Sequence, residues 1–402
     1  MKLEERLRPH NRRVQLAREL GLYPYFRPVE GGGVEVQIDG RPQLMFASND
    51  YLGLSQDRRV KAAAAKALQH WGSATGGSRL LCGTLSLHQA LEERLAAFLG
   101  KRQALVHSTG FGANLGVIPA LAADGDALLC DKACHASMLD GARSSPARLL
   151  PFAHNRPAAA ARILERLQRR QHAGCTFLLT EGVFSMSGEI APLPDLLDLR
   201  RLDPDLVVYL DDAHGLGVLG AGGRGSAEHW GVTSQVDFLM GTFSKSLASI
   251  GGFVASDHGE ALDYLRHQSR PLIFSAALPA PNLAAALAAL EILQQEPELS
   301  ARLRERVRRL RTWLAQAGLP VAPGDSPVIP LLPASDEAAF RLAQALFEEG
   351  LFVVPVAYPA VRRDQPLLRI ACTLLHRNEH LERLVDALAR LVPLYPLKTI
   401  GP

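Results

Sequence analysis

The sequence predicts an α/β fold, with a mostly parallel central sheet in a large domain and an α+β domain at the C-terminal end. Three observations carry that expectation. From about Asn49 to Pro281, short apolar runs alternate with stretches of helical spacing, the pattern that lays parallel strands between covering helices. The runs are continuously apolar, as strands buried on both faces must be. After Pro281 the order changes to two long helices followed by strands, so the 402 residues divide into more than one core. The expected limits are an N-terminal arm over 1–48, a large domain over 49–281 and a small domain over 282–402.

Taken in order, residues 3–20 have helical spacing, with Leu7, Val14, Leu16 and Leu20 apolar, until Gly21 breaks the pattern. Val34-Glu35-Val36-Gln37-Ile38 alternates with period two and meets Asp39-Gly40, a hairpin turn, so Leu44-Met45-Phe46 is its return strand. Such an arm packs on the body or on a neighbouring subunit. In the large domain, 104–107, 127–130, 176–179 and 206–210 are strands by length, separated by helices over 87–99, 158–171 and 193–202. Beyond Pro281 the spacing predicts helices over 282–295, 300–317, 337–349 and 378–391, with strands over 328–331, 351–354 and 367–372.

Composition narrows the class. A hydrophobic content of 47% with 21% charged residues is that of a soluble globular enzyme, and a net charge of +3 gives no case for nucleic acid. The five cysteines (Cys82, Cys130, Cys134, Cys175, Cys372) form no Cys-x-x-Cys pair, and Cys130, Cys134 and His135 leave a metal without a fourth ligand. The N-terminus has no apolar signal region, and no uncharged apolar run approaches 18 residues. A reduced, cytoplasmic enzyme without a metal is expected.

The chemistry concentrates on a lysine. Lys245 lies in Gly241-Thr242-Phe243-Ser244-Lys245-Ser246, between the apolar runs 236–240 and 251–255. Burial there depresses an ammonium pKa toward the free amine that attacks carbonyls and forms Schiff bases. Upstream, the strand 206–210 ends on Asp211-Asp212-Ala213-His214. A carboxylate at a strand end and a reactive lysine further on are what pyridoxal phosphate requires: an anion for its pyridinium nitrogen and an amine for its aldehyde. Thr109-Gly110-Phe111-Gly112-Ala113-Asn114 follows a strand and opens an apolar helix, where backbone N–H groups can hold a phosphate, although a plain strand–helix turn reads the same way. Thr242 and Ser244 offer hydroxyls to the same anion. His214 is placed to reach the ring's 3-oxygen, although a helix N-cap at Asp211 with a surface histidine reads the same way, and His135 is placed to stack on the ring or to be an ordinary loop histidine. Glu181 and Ser185 follow the strand 176–180 at the edge where open α/β sheets bind ligands. Arg369, a charge inside an apolar strand, calls for a carboxylate, from an amino-acid substrate or from a structural ion pair.

With these residues in view, the chain resembles the α-oxoamine synthases, fold-type I pyridoxal-phosphate enzymes of the aspartate aminotransferase-like fold, over nearly its full length. The resemblance rests on Ser48-Asn49-Asp50-Tyr51-Leu52-Gly53-Leu54, Gly77-Ser78-Arg79-Leu80, Cys82-Gly83-Thr84 with His88, His135-Ala136-Ser137, Glu181-Gly182-Val183-Phe184-Ser185-Met186, Asp211-Asp212-Ala213-His214-Gly215 and Gly222-Gly223-Arg224-Gly225. The Lys245 segment with Gly251-Gly252-Phe253, and the stretch 21–28, look most like the bacterial serine palmitoyltransferase branch. The resemblance implies that Lys245 holds the cofactor, Asp211 its ring nitrogen and His135 its face. It implies further that His214 and Ser185 line the 3-oxygen side, that Glu181 is among the cofactor-binding residues, and that Gly110, Phe111, Thr242 and Ser244 bind the phosphate. Ser275 matches a phosphate contact given by a second subunit, so a homodimer with shared sites is implied. Asn49, Ser78 and Arg369 match groups near the substrate. One departure is the stretch Val356-Ala357-Tyr358-Pro359-Ala360-Val361, followed by Arg362 and Arg363, where several relatives carry an arginine ahead of a Pro-Pro pair.

The implied reaction is condensation of a small amino acid, L-serine first, with an acyl thioester on coenzyme A or a carrier protein. 8-Amino-7-oxononanoate synthase, an aminotransferase and a non-catalytic subunit are the alternatives, and the presence of Lys245 argues against the last. The arginines Arg302, Arg304, Arg306, Arg308, Arg309 and Arg311 read as a solvated helix face paired with Glu298 and Glu305, or else as a dock for an acidic carrier or a membrane surface.

Overall fold

Seven short strands, most of them continuously apolar, assemble into one sheet. Its spatial order is Gln103–His107, Gly252–Ser256, Phe238–Thr242, Val207–Asp211, Thr176–Glu181, Ala127–Asp131 and Arg148–Phe152. Only Gly252–Ser256 runs antiparallel to its neighbours; the remaining neighbours pair in parallel. The consequence is positional. The carboxyl ends of the parallel strands, at His107, Asp131, Glu181, Asp211 and Thr242, share one edge, and the turn from Thr242 back into Gly252 lies on that edge too. This computed structural model describes residues 2–398. They cluster into two units, 49–304 and 1–48 with 305–402.

Within 49–304 the core under the sheet is built from Leu105, Val117, Leu128, Met138, Leu179 and Val254, all essentially inaccessible to water. Each such side chain contributes about 1.5–3 kcal/mol by leaving water. The helix Gly110–Leu121, capped by Thr109, packs on Ala136–Ser144. The expected helix over 193–202 is an α-helical turn, Leu193–Leu197, that tightens into a 3₁₀ turn, Asp198–Arg201. The helix Arg58–Trp71, capped by Asp57, has no counterpart in the sequence reading because it buries only Val60 and Ala67. The helix Ala280–Gln295 packs on Arg58–Trp71 and on Ser86–Leu99.

In the other unit, Val328–Leu331, Leu367–Ala371 and Val354–Val356 form an antiparallel sheet with Leu367–Ala371 in the middle. The hairpin Glu35–Ile38 to Arg41–Met45 forms as its alternation demands, with Asp39 and Gly40 both at positive φ (52° and 70°), as a two-residue primed turn requires. The expected strand over 351–354 divides: Leu351–Phe352 joins the hairpin and Val354–Val356 joins Leu367–Ala371. The helix Lys2–Glu19 buries none of its residues within this chain. The arginine-rich helix Glu298–Gln316 is more than a solvated face. Arg311 is buried and donates to the carbonyls of Ala322, Ser326 and Val328, and burial brings its pKa down to about 10. Arg306 donates to the Leu374 carbonyl, Arg308 pairs with Asp325, and Arg309 pairs with Glu305 as expected of a surface face.

Candidate active site

At the shared strand edge, Asp211 is the last residue of its strand and is buried. Its carboxylate accepts hydrogen bonds from Asn114 Nδ2 at 2.7 Å and from the Ala213 N–H at 3.0 Å. Asn114 stands one turn into the helix Gly110–Leu121. It donates its second amide proton to Ser137 Oγ (2.9 Å) and accepts from the Tyr209 hydroxyl (2.8 Å). Ser137 Oγ lies 2.7 Å from His135 Nδ1, which also accepts from the Ser137 N–H and so caps the helix Ala136–Ser144. Donors therefore run from Asn114 through Ser137 to His135, leaving the imidazole proton on Nε2. Desolvation pulls the His135 pKa down and the Lys245 charge adds to this, against the attraction of Asp211. A neutral imidazole results, accessible on the open side of the edge.

Lys245 sits in the turn between Phe238–Thr242 and Gly252–Ser256. It is half-buried, not enclosed as its apolar flanks predict, because the turn rides on the open edge of the sheet. The turn is fixed from inside: Thr242 Oγ1 donates to the Gly251 carbonyl (2.8 Å) and lies 2.7 Å from Ser244 Oγ, and Phe243 stacks on Phe253 at 5.6 Å. The Lys245 charge acts on both His135 and Glu181. Glu181 ends the neighbouring strand, paired in register with Asp211. Burial, with Asp211 next to it, pushes the Glu181 carboxyl well up, and Oε1 has no hydrogen-bond partner in the chain. A neutral carboxylic acid with a proton to offer is the consequence.

Across the edge the helix Gly110–Leu121 begins. Thr109 Oγ1 accepts the Gly112 N–H (2.9 Å), while the first N–H groups of an α-helix have no intrahelical acceptor. A Cβ on Gly110 would meet Thr242 Oγ1 at 3.0 Å, and one on Gly252 would meet the Gly110 Cα at 2.6 Å, so glycine alone lets these backbones close in. Phe111 is exposed, its ring edge-on to His135 at 6.1 Å. Ser275 is exposed beside Ala276, whose carbonyl accepts from Ser108 Oγ (2.7 Å).

His214 is buried, with Nδ1 2.7 Å from the Tyr51 hydroxyl, which donates to Asn49 Oδ1 at 3.1 Å. Ser185 is half-buried in the turn after Glu181. Ser78 is buried and its Oγ lacks a hydrogen-bond partner. The structure thus brings Lys245, Asp211, His135, Glu181, Gly110, Thr242, Ser244, His214 and Asn49 into one unit. Arg369 belongs to the other unit, buried in its central strand opposite Pro330 and Val354. Arg362 pairs with Asp364 (3.0 Å), and Arg363 lies over the Tyr358 ring at 4.0 Å. Four residues with contacts here were given no role of their own from the sequence: Asn114, Ser137, Tyr209 and Tyr51. Tyr51 and Ser137 stand in motifs quoted for the resemblance, and Asn114 closes the stretch 109–114 as a polar residue near the start of an otherwise apolar helix.

Comparison with known proteins gives the family. Residues 41–388 match the family described as aminotransferase class I and II. Serine palmitoyltransferase of Bacteroides ovatus is 43% identical, over 92% of this chain and 93% of its own length. 8-Amino-7-oxononanoate synthase of Geobacter sulfurreducens is 41% identical, over 94% of this chain and 96% of its own length. Among solved structures, serine palmitoyltransferase from S. paucimobilis with a bound PLP–myriocin aldimine superposes with a TM-score of 0.93 and 31% identity, covering 98% of both chains.

Proposed function

The chain belongs to the aminotransferase class I and II family, and from that premise we propose that this pyridoxal-phosphate-dependent α-oxoamine synthase joins L-serine to a long-chain acyl thioester. With palmitoyl-CoA the products are 3-ketodihydrosphingosine, carbon dioxide and CoA. The observation that carries the reading is the convergence of an amine (Lys245), a hydrogen-bonded carboxylate (Asp211) and a helix-end anion cradle (Gly110) on one sheet edge. The choice of serine is supported by the serine palmitoyltransferase relatives.

The residues fit the cofactor. The cradle at Gly110, Phe111, Thr242 and Ser244, which a Cβ at position 110 or 252 would fill, suits the phosphate. Asp211 suits the pyridinium, and the exposed neutral ring of His135 suits the pyridine face. The orphaned acid at Glu181, with Ser185 and His214, suits the 3-oxygen side. Bound there, pyridoxal phosphate supplies an aldehyde that captures amines and a protonated ring that draws electrons from the substrate Cα. Asp211, held in place by Asn114, keeps the proton on the ring nitrogen. Lys245 Nζ would hold the cofactor through its aldehyde carbon and, as a free amine, would serve as general base for the substrate Cα proton. Asn49, linked through Tyr51 to His214, orients the substrate, with Ser78 as a further substrate contact.

A partner copy completes the site in this reading. Leu81 is 80% and Phe274 73% exposed, and Phe274 adjoins Ser275, the residue assigned to a neighbour's phosphate. Apolar side chains so exposed are what a homodimer covers. Five unpaired thiols fit a reducing, cytoplasmic setting. Among the described residues, no helix is long and apolar enough to cross a membrane.

The second reading, 8-amino-7-oxononanoate synthase with L-alanine and a pimeloyl thioester, is supported by relatives of that name. Spectral titration with serine, alanine and glycine, followed by product mass across a ladder of acyl-CoA lengths, separates the two. Free thiol release separates both from transamination. Lys245→Ala is expected to abolish the near-visible absorbance of the purified enzyme together with turnover; retention of both overturns the assignment.

A further inference from the structure

Both ring nitrogens of His154 face carboxylates. Nδ1 lies 2.9 Å from Asp131 Oδ1, and Nε2 lies 2.6 Å from Glu189 Oε2. An imidazole donates from both nitrogens only as the imidazolium. The three residues come from three separate segments of the strand edge. Asp131 ends its strand and begins the turn that leads to His135. His154 follows the adjacent strand Arg148–Phe152. Glu189 lies in the hairpin 182–191, which carries Ser185 and is closed by the Val183 to Ile190 bridge and the Phe184 N–H to Glu189 carbonyl bond (2.9 Å).

The arrangement has a fixed end and a movable end. The Asp131 side chain is 1% exposed and also accepts the N–H groups of Ala133 and Asn155, each at 2.8 Å. The Glu189 side chain is 54% exposed. The Phe184 ring stands edge-on against the imidazole at 4.3 Å, shielding it on the hairpin side.

We propose that His154 is a positioning residue whose imidazolium clamps the 182–191 hairpin to the Asp131–His135 turn, fixing the spacing of Glu181, Ser185 and His135 around the cofactor ring. The proposal rests on the reading of this edge as the pyridoxal-phosphate site. The charged groups around the imidazole are Asp131 from its strand, Glu189 from the hairpin, and Arg156 from the start of the next helix, which faces Glu189. Burial alone would lower the His154 pKa, but its hydrogen bonds to Asp131 and Glu189 raise it to about 9. A histidine pKa raised on folding means that the clamp is at full strength below the ordinary imidazole range and is lost as pH rises through about 9.

The test is pyridoxal-phosphate titration of the apoenzyme, followed by absorbance, for wild type, Glu189→Gln, His154→Gln and the double variant from pH 7 to 10. Glu189 is exposed, so its variant keeps the core intact. At pH 7 each single variant is expected to bind about tenfold more weakly, the scale of one charge-assisted bond. The double variant is expected to bind no more weakly than His154→Gln alone, since that substitution already removes the contact to Glu189. The gap between wild type and Glu189→Gln is expected to close by pH 10. A gap that stays constant over that range, or losses that add in the double variant, overturns the clamp. Failure of the wild type to bind pyridoxal phosphate overturns the site reading beneath it.

Discussion

Asp211 and Asp212 are neighbours in sequence, yet their carboxylates occupy surroundings of opposite character. The Asp211 side is polar and connected: its oxygens accept from Asn114 and from the Ala213 N–H, and Asn114 leads on to Ser137 and His135. The Asp212 side is a cage of glycines. A Cβ on Gly182, Gly215 or Gly225 would lie 2.1, 2.0 or 2.0 Å from the Asp212 carboxylate, and at Gly225 the φ of 103° already requires glycine. Inside the cage Asp212 Oδ2 accepts the Ser226 N–H (2.6 Å), while Oδ1 has no partner. Burial pushes the Asp212 pKa up to about 7. The two carboxyls thus differ in what surrounds them: side-chain donors lead away from Asp211, while glycine backbone closes around Asp212 and burial raises its pKa. The first lies among the residues proposed to hold the cofactor, and the second ties the end of the sheet to the glycine-rich loop before Ser226.

That contrast breaks most directly at Asp211. Asp211→Ala is expected to lower kcat/KM for thiol release from acyl-CoA with serine by on the order of 10²–10³-fold, the effect of removing one preorganised charge from a reaction centre. Asp212→Ala serves as the comparison; if it costs catalysis as much as Asp211→Ala while the protein stays folded, the two carboxylates do not divide as described. Asp212→Asn sharpens the contrast through pH. A carboxyl whose pKa rises on folding holds a proton that the unfolded chain gives up, so wild-type stability falls as pH rises from about 4 to about 7 and is flat above. The slope from this group is up to about 1.4 kcal/mol per pH unit. Asn carries no such slope, so denaturant unfolding from pH 5 to 8 is expected to show the variant gaining on wild type until about pH 7. Glu181 titrates in both proteins and cancels in the difference. Parallel stability curves would remove Asp212 as a buried acid.

The two sides also differ in how much of them is legible in the sequence. Lys245, Asp211, His214 and Gly110 could be read because each follows an apolar strand, and strand ends collect at one edge by topology alone. The strands themselves were legible as continuous apolar runs, and the helix Asn378–Leu391 agrees to the residue because its apolar stripe is regular. Asn114, Tyr209 and Ser137 could not be read. Their meaning depends on the distance between a helix and a strand that are 95 residues apart in sequence. Gly182, Gly215 and Gly225 were visible as motif residues without a reason, since what requires them is the volume of the Asp212 side chain. Asp131, His154 and Glu189 were likewise unmarked, because the carboxylate–imidazolium–carboxylate arrangement exists only once three strands are in register.

The smallest expected effect tests whether the Asp211 side is a network or a set of separate contacts. Tyr209 is fully buried, and its ring packs on Phe238 at 6.5 Å, a contact that Tyr209→Phe retains. The substitution removes only the O–H that donates to Asn114 Oδ1. Asn114 cannot recover by flipping its amide, because its nitrogen must keep donating to Asp211 and Ser137. A buried acceptor is left without a partner, at a cost of about 1–2 kcal/mol in unfolding free energy. If Asn114 passes the constraint on to Asp211, kcat also falls, by less than about tenfold, with KM for serine unchanged, because substrate binding is not what the hydroxyl supports. Equilibrium unfolding and steady-state kinetics on the one variant read both quantities. A stability loss with kcat untouched would mean that Tyr209 braces the helix Gly110–Leu121 alone, and that the ordering of Asp211 ends at its own two hydrogen bonds.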